Sequence, residues 1–409
     1  MTKPVIVFVG AVYPGQFGDL CDHLRHSGLA ETYFLTTPGH MERNRQRGRH
    51  ILGFKPDGSI VGAQSYYYSG KVERSARIGR GVLNALTEFQ KHRNIDVVVA
   101  HSLWGAPHFL YDEIDAAIVS YIEFPSFRAH GWDPAYPPDT AQRLADRNTE
   151  MLHFHQALRS DLVICPSQHA KRMFPKPLQA NIEVQLEGFD FSRFSEPEHN
   201  AAADRPFVIG FASRDLSSAK GFEVYVRLVD QLVERGIEAE FVALGGAGVS
   251  TYGYEEQMVA RTHGNKVANF KEHLLLRYPR AAEVISFPGK LPYEDFARKV
   301  AEIDLFLYPL QYGVANWGLV EILGRGGCVL APNRGYAAEL IEDGVNGRLL
   351  PDDDEAWIAA ILALRDDPAA RLRHGLAARS MARRQYDLPV VAPRYMGLFR
   401  QAMNNRANR

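Results

Sequence analysis

The chain alternates short apolar runs with longer segments in which apolar residues recur at three- and four-residue spacing. In the first part the runs are "PVIVFVGA", "TYFLTT", "IDVVVAH", "AAIVSYI", "DLVICPS" and "IEVQL". Runs this short, dense and bounded by turn residues predict strands buried on both faces. Helical segments separate several of them, notably "FGDLCDHLRHSG" and "TAQRLADRNTEMLHFHQALRS". A second series, "FVIGFAS", "EFVALGG", "VISFPGK", "DLFLYP", "CVLAP" and "GRLL", repeats the style. Such alternation predicts an α/β protein of two Rossmann-like, doubly wound parallel domains facing a central cleft. The polar, proline-bearing segment 196–206 has no periodicity and is expected to link a first domain, 1–195, to a second, 207–386. Segment 387–409 contains the helical "APRYMGLFRQAM" and is expected to pack back onto the first domain. Stretch 247–282 has only weak helical character, and its pattern assigns it no place.

Composition narrows the function more than the fold. With 409 residues, 46% hydrophobic and 23% charged content and a net charge of −1, nothing in the total calls for nucleic acid as a partner. Locally, 41–93 holds 11 Lys and Arg against 4 Asp and Glu, a net charge of +7. That is either a solvated basic face or an attraction to anionic lipid or a charged acceptor. The three cysteines, Cys21, Cys165 and Cys328, are far apart and show no metal or disulfide spacing. No apolar run approaches membrane-spanning length, and the chain begins directly on a strand-like segment. The expected setting is the cytoplasm, with at most peripheral contact at the inner membrane face through 41–93.

The stretch "SRDLSSAKGF", 213–222, follows one apolar run and precedes the helical "GFEVYVRLVDQLVERG". In a strand, helix, strand unit this connection lies at the carboxyl edge of the sheet, where ligands bind. There Arg214 offers a planar fork, Lys220 a point charge, and Gly221 lets backbone approach an anion at the helix start. The ligand suggested is a diphosphate, although two cations on a flexible connector also suit plain solvent. The later "QYGVANWGLVEILGRGGCVLAPNRGYAAELIEDGVNGRLL" orders a buried strand, a glycine-bearing loop, a short helix carrying Glu321, a glycine-rich exit and another strand.

With these pieces in this order, together with "VISFPGKLPYEDFARKVAEIDLFLYP", the chain resembles the family-four (group 1) glycosyltransferases of the GT-B fold. The first domain matches more loosely, through "VIVFVGAVYPGQFGDL", "IDVVVAHSLWGAP", "DLVICPSQHAKRMF" and "VQLEGFDFSRF". The resemblance implies transfer of a sugar from a UDP- or GDP-linked donor to an acceptor hydroxyl with retention of configuration. A donor phosphate oxygen would help to deprotonate the acceptor, with no protein nucleophile, no metal and no other cofactor. It implies a glycan, lipid-linked or protein acceptor and bacterial glycan or glycoconjugate biosynthesis. Arg214 and Lys220 would bind the diphosphate and stabilise the departing nucleotide. Glu321 would accept hydrogen bonds from the ribose hydroxyls. Backbone around Gly289, Lys290 and Leu291 would meet the base edge, and Asn316, Trp317 and Gly318 would face the sugar and phosphates, although Trp317 equally suits a core aromatic.

Two positions depart from the family pattern. Gly313 stands where a first glutamate usually holds the transferred sugar, and Glu123 of "YIEFP" stands where many members place a histidine beside the donor. Glu123 would accept from a sugar hydroxyl or act as a local carboxylate. His101 ends a strand in "AHSLWGAP" and, beside Trp104 and Gly105, reads as part of a ligand-facing turn. Gly15 and Gly18, in "GQFG", would bring a first-domain loop to the phosphates or the acceptor, or simply make a turn. The acidic "DDD", 352–354, reads as a helix start rather than a metal site. A dehydrogenase on a similar sheet is disfavoured because "GGAGVS" lacks the dinucleotide-binding glycine spacing. The remaining alternative is a catalytically weak or inactive scaffold that binds nucleotide and acts as a partner or regulator.

Overall fold

The first six apolar runs form parallel strands β1 (Val5–Val9), β2 (Glu31–Thr36), β4 (Val97–His101), β5 (Ala117–Tyr121), β6 (Leu162–Cys165) and β7 (Ile182–Val184), joined by a short β3 (Ile51–Gly53). Their order is β3-β2-β1-β4-β5-β6-β7. Alternation along each strand feeds two separate cores, which is why the runs are apolar throughout rather than every second residue. Ile6, Phe8, Val97, Val99 and Val119 pack with Val391, Tyr395 and Phe399 of the helix Leu388–Ala407. Val7, Val9, Val98, Ala100 and Ile118 pack with Ile78, Val82 and Leu86 of the helix Gly70–Gln90.

In this computed structural model, which describes residues 3–62, 66–194, 205–248, 250, 253–310 and 312–409, the chain divides into two units. The first is Met1–Ala129, Asp139–Asp190 and Gln385–Arg409; the second is His130–Pro138 and Phe191–Arg384. The terminal helix therefore belongs to the first unit. It is seated where Gly188, at φ 97°, brings the chain close: a Cβ there would lie 3.1 Å from Leu388 and Val391 side-chain atoms.

The second unit holds β8 (Val208–Asp215), β9 (Glu240–Gly246), β10 (Ile285–Gly289), β11 (Leu305–Leu307), β12 (Val329–Pro332) and β13 (Arg348–Leu350), ordered β10-β9-β8-β11-β12-β13 and parallel. The helix Phe222–Glu234 buries Phe222, Tyr225, Val226 and Val229 against Ile209, Phe211 and Phe241. It stops at Gly236, φ 70°, where Ile237 N–H reaches back to Leu232 O at 3.0 Å, closing the last turn.

Stretch 247–282 is placed by a few anchors rather than by a periodic face. Its helices Glu255–His263, Phe270–Arg277 and Pro279–Val284 contribute Val259, Phe270, Leu274 and Ala281 to the same core. The segment His130–Pro138, assigned from sequence to the first domain, clusters with the second unit. Tyr136 is 3% exposed, meets the Phe270 ring at 5.0 Å and donates a hydrogen bond from its hydroxyl to Glu223. Residues 196–204 of the expected linker lie outside the described residues. No described helix is long and apolar enough to cross a membrane.

Candidate functional site

In the second unit the chain runs β8, β9, β10 to one side and resumes with β11 on the other, so the loops after β8 and β11 diverge at one point of the carboxyl edge. Arg214 lies within β8 rather than on a connector, since hydrogen bonding to β9 continues through Asp215. Its side chain is 65% exposed, with Nε 3.5 Å from Asp215 Oδ2. The turn that follows is the opposite of flexible. Ser217 Oγ donates to Asp215 Oδ1 at 2.6 Å, Ser218 donates from Oγ and N–H to Glu255 at 2.7 and 3.2 Å, and all four residues are buried. Lys220, 6% exposed, is carried on this turn. Gly221, at φ 79°, opens the helix; a Cβ there would sit 1.8 Å from Pro309 O in the loop after β11. Tyr312 N–H joins the same two loops through Ala219 O at 3.1 Å.

The loop after β11 leads into the helix Trp317–Gly324, so a second helix N-terminus comes to this edge beside that of Phe222–Glu234. Asn316 is its cap: Oδ1 accepts the Gly318 N–H at 2.9 Å, which occupies that amide. Trp317 is exposed, not a core aromatic. Gly313 is buried, and a Cβ would come within 3.1 Å of Leu310 Cδ1, so a longer side chain has little room. Glu321, one turn into the helix, accepts from Arg325 Nε and Nη2 at 3.1 and 3.0 Å, both on Oε1. Gly289 ends β10 at φ 77°, followed by exposed Lys290 and half-buried Leu291. Tyr293, two residues further on, receives Arg325 Nη2–H on its hydroxyl at 3.0 Å. The structure thus joins Glu321 to the segment after β10 through Arg325. Asp353 of the acidic triplet caps the helix Asp354–Asp366 by accepting Ala356 N–H, and Asp354 binds Arg227 and Gln231. Among the described residues no group of three or more His, Cys, Asp or Glu is arranged to hold a metal.

The first unit has its own divergence point, between β1 and β4. His101, the last residue of β4, accepts on Nδ1 from Leu103 and Trp104 N–H, both at 3.3 Å. Its proton is therefore on Nε2, which faces Glu123 Oε2 at 3.7 Å. Gln16 Nε2 donates to the same oxygen at 3.0 Å. The loops after β1 and β5 and the end of β4 thus meet at one carboxylate. Gly15, φ 48°, and Gly18, the first residue of the helix Gly18–His26, make the tight turn that presents Gln16. A Cβ at Gly15 would lie 2.5 Å from Val12 O, and one at Gly18 2.3 Å from Pro14 Cβ.

Sequence reading singled out neither Gln16, Glu255, Tyr293 nor Arg325. The four-residue spacing of Glu321 and Arg325 on one helix was a usable signal for that pair. Glu255 had none, because it lies in the stretch without a clear pattern.

Residues 29–194 match the "Glycosyl transferase family 4 group" family model, and residues 206–367 match "Glycosyl transferases group 1". No curated protein matches the sequence. Among solved structures, sucrose-phosphate synthase from Thermosynechococcus elongatus is similar with a TM-score of 0.75 at 16% identity, over 98% of this chain and 100% of that one. A glycosyltransferase from Rickettsia africae follows at 0.66 and 15%, over 99% and 100%. HepE of Anabaena, in complex with UDP-glucose, gives 0.63 and 16%, over 98% and 100%. At these identities the likeness carries the fold, GT-B, while the two family models between them span most of the chain. The chain belongs to the family-four, group 1 glycosyltransferases, which transfer sugar from nucleotide sugars.

Proposed function

We propose that this protein transfers a sugar from a UDP- or GDP-linked donor to an acceptor hydroxyl with retention of configuration and without a metal, in bacterial glycan or glycoconjugate biosynthesis. The observation that carries the reading is the carboxyl edge of the second unit. Two helix N-termini, Arg214 and Lys220 gather where the loops after β8 and β11 diverge, and Glu321 lies one turn into the second helix. Helix starts and fixed cations stabilise a diphosphate and, more strongly, the charge that grows on it as the glycosidic bond breaks. Arg214 meets the phosphates from the exposed strand end, Lys220 from the turn, and Glu321 accepts from ribose. The base lies along Gly289, Lys290 and Leu291. A phosphate oxygen takes the acceptor proton on the face that the leaving group vacates. HepE, of like fold, is solved with UDP-glucose, which favours a uridine donor.

In the first unit Glu123, held by the bond from Gln16 and facing His101, accepts from a sugar hydroxyl. A second reading, a nucleotide-binding scaffold without turnover, draws on the crowding of Gly313 by Leu310 and on Glu123 in the usual place of histidine. Thermal-shift measurements with UDP, GDP and their sugar conjugates, followed by product analysis with chelator present, test both. Stabilisation by one nucleotide sugar and an α-linked product from an α-linked donor are expected. Binding without hydrolysis or transfer would support the scaffold, and an inverted product or loss of activity with chelator would remove the mechanism.

A further inference from the structure

Arg325 is held more firmly than a helix-surface pair requires. Its guanidinium lies over the Phe194 ring at 4.2 Å and the Tyr293 ring at 5.7 Å, and its side chain is only 11% exposed. Nε and Nη2 both go to Glu321 Oε1, and Nη2 also reaches the Tyr293 hydroxyl. An ordinary four-residue ion pair on a helix surface is weak and leaves both groups mobile. Here one cation fixes two acceptors from different segments: a carboxylate on the helix after β11 and a phenol just past the end of β10. The Tyr293 residue is 54% exposed, while burial, and then the Glu321 carboxylate, push its pKa up to about 12. The phenol is therefore neutral at physiological pH: its proton is directed to the Glu321 carboxylate, Arg325 uses one of its two lone pairs, and the other is left to accept. Glu321 Oε2 receives neither of the Arg325 bonds.

Two hydrogen-bond acceptors braced by one arginine match a ligand with two adjacent hydroxyl donors. Building on the assignment of Glu321 to ribose, we infer that Tyr293 is the second half of a cis-diol reader. One ribose hydroxyl donates to Glu321 Oε2 and the other to Tyr293 Oη, and the exposed tyrosine ring lies along the nucleoside. Arg325 is a positioning residue: it touches no ligand atom and sets the spacing of the two acceptors.

Calorimetry with UDP and GDP and their 2′-deoxy and 3′-deoxy forms, on the full chain, tests this. The parent is expected to bind the better ribonucleotide about tenfold more tightly than either deoxy form. Tyr293→Phe, which keeps the ring, should abolish the preference over one deoxy form only. Its affinity for that analogue and its melting temperature should be unchanged. Glu321→Ala should abolish the preference over the other, and Arg325→Lys should weaken both while keeping the charge. If Tyr293→Phe retains the parent's full preference, or weakens ribo and deoxy ligands alike, while Glu321→Ala loses discrimination, the diol reader is wrong and the ribose role of Glu321 stands. If Glu321→Ala also discriminates like the parent, or neither nucleotide binds, the assignment of Glu321 falls and the inference falls with it.

Discussion

Arg214 and Lys220 are two cations in very different settings, and the difference shapes what their loss does. Arg214 is 65% exposed at the end of β8, so Arg214→Ala should leave stability nearly unchanged. It should weaken nucleoside diphosphate binding about tenfold, the effect of one charge-assisted hydrogen bond. Lys220 is buried in the turn held by Asp215 and Glu255, so Lys220→Ala should lower both affinity and melting temperature. Calorimetry beside a thermal melt separates the two, and unchanged affinity in both variants would strip them of the diphosphate role. Gly221 is the most sharply constrained neighbour. Its positive φ and the 1.8 Å approach of a Cβ to Pro309 O mean that Gly221→Ala must move the loop after β11. A loss of about 3 kcal/mol or more in denaturant unfolding is expected, and a near-neutral variant would show that loop to be slack. The identities of these residues were readable in the sequence. That the turn is rigid was not, because its rigidity comes from Glu255, some 37 positions away, in a stretch whose pattern had no place to offer.

The strands were the most legible elements, since runs such as "PVIVFVGA" and "IDVVVAH" must be buried on both faces to be apolar at every position. Elements held by a few anchors were less so. The segment His130–Pro138 belongs with the second unit because of Tyr136, and a single buried tyrosine in a polar loop leaves no periodic trace. Arg214 shows the same limit at a strand end, where polar side chains mask a ladder that reaches three residues past the last apolar one. The terminal helix was legible as a helix, and its importance lies in what it covers. Val391, Tyr395 and Phe399 are fully buried over Ile6, Phe8 and Val97 of the central strands. Phe399→Ala should cost about 3–5 kcal/mol, the range for deleting a buried ring. The loss should appear in the first unit only, read as lost amide protection on β1 and β4 with β8 and β9 unaffected. Equal loss in both units would show that the helix supports more than the core it fills.

The two units are expected to differ in how they respond to acid, because the histidines whose pKa is lowered lie mainly in the first. His153 is 2% exposed; its Nδ1–H donates to Pro125 O at 3.1 Å, and Nε2 has no partner. Burial pushes its pKa down to about 4, and burial with His155 nearby does the same to His108. His40 and His169 are lowered too, both first by burial, so four of the five lowered histidines among the described residues lie in the first unit, and only His273 lies in the second. For each, the folded pKa is below the unfolded one, so the unfolded chain takes up the proton first as pH falls. The stability they allow is fully present above pH 6.5 and is lost progressively toward pH 4, about 3 kcal/mol for a group shifted as far as His153. Aspartates held low, such as Asp22, whose burial is outweighed by the bonds from His50 and Tyr13, lose their contribution mainly below their ordinary 3.8, beneath the histidine window. Between pH 6.5 and 4, amide exchange should therefore accelerate in β1–β7 before β8–β13, with nucleotide binding by the second unit outlasting the first unit's fold. His153→Asn, which keeps a donor for Pro125 O and cannot titrate, should make the first unit's melting temperature less dependent on pH across that range. An unchanged slope, or loss of protection in the second sheet first, would place the acid sensitivity outside these buried rings.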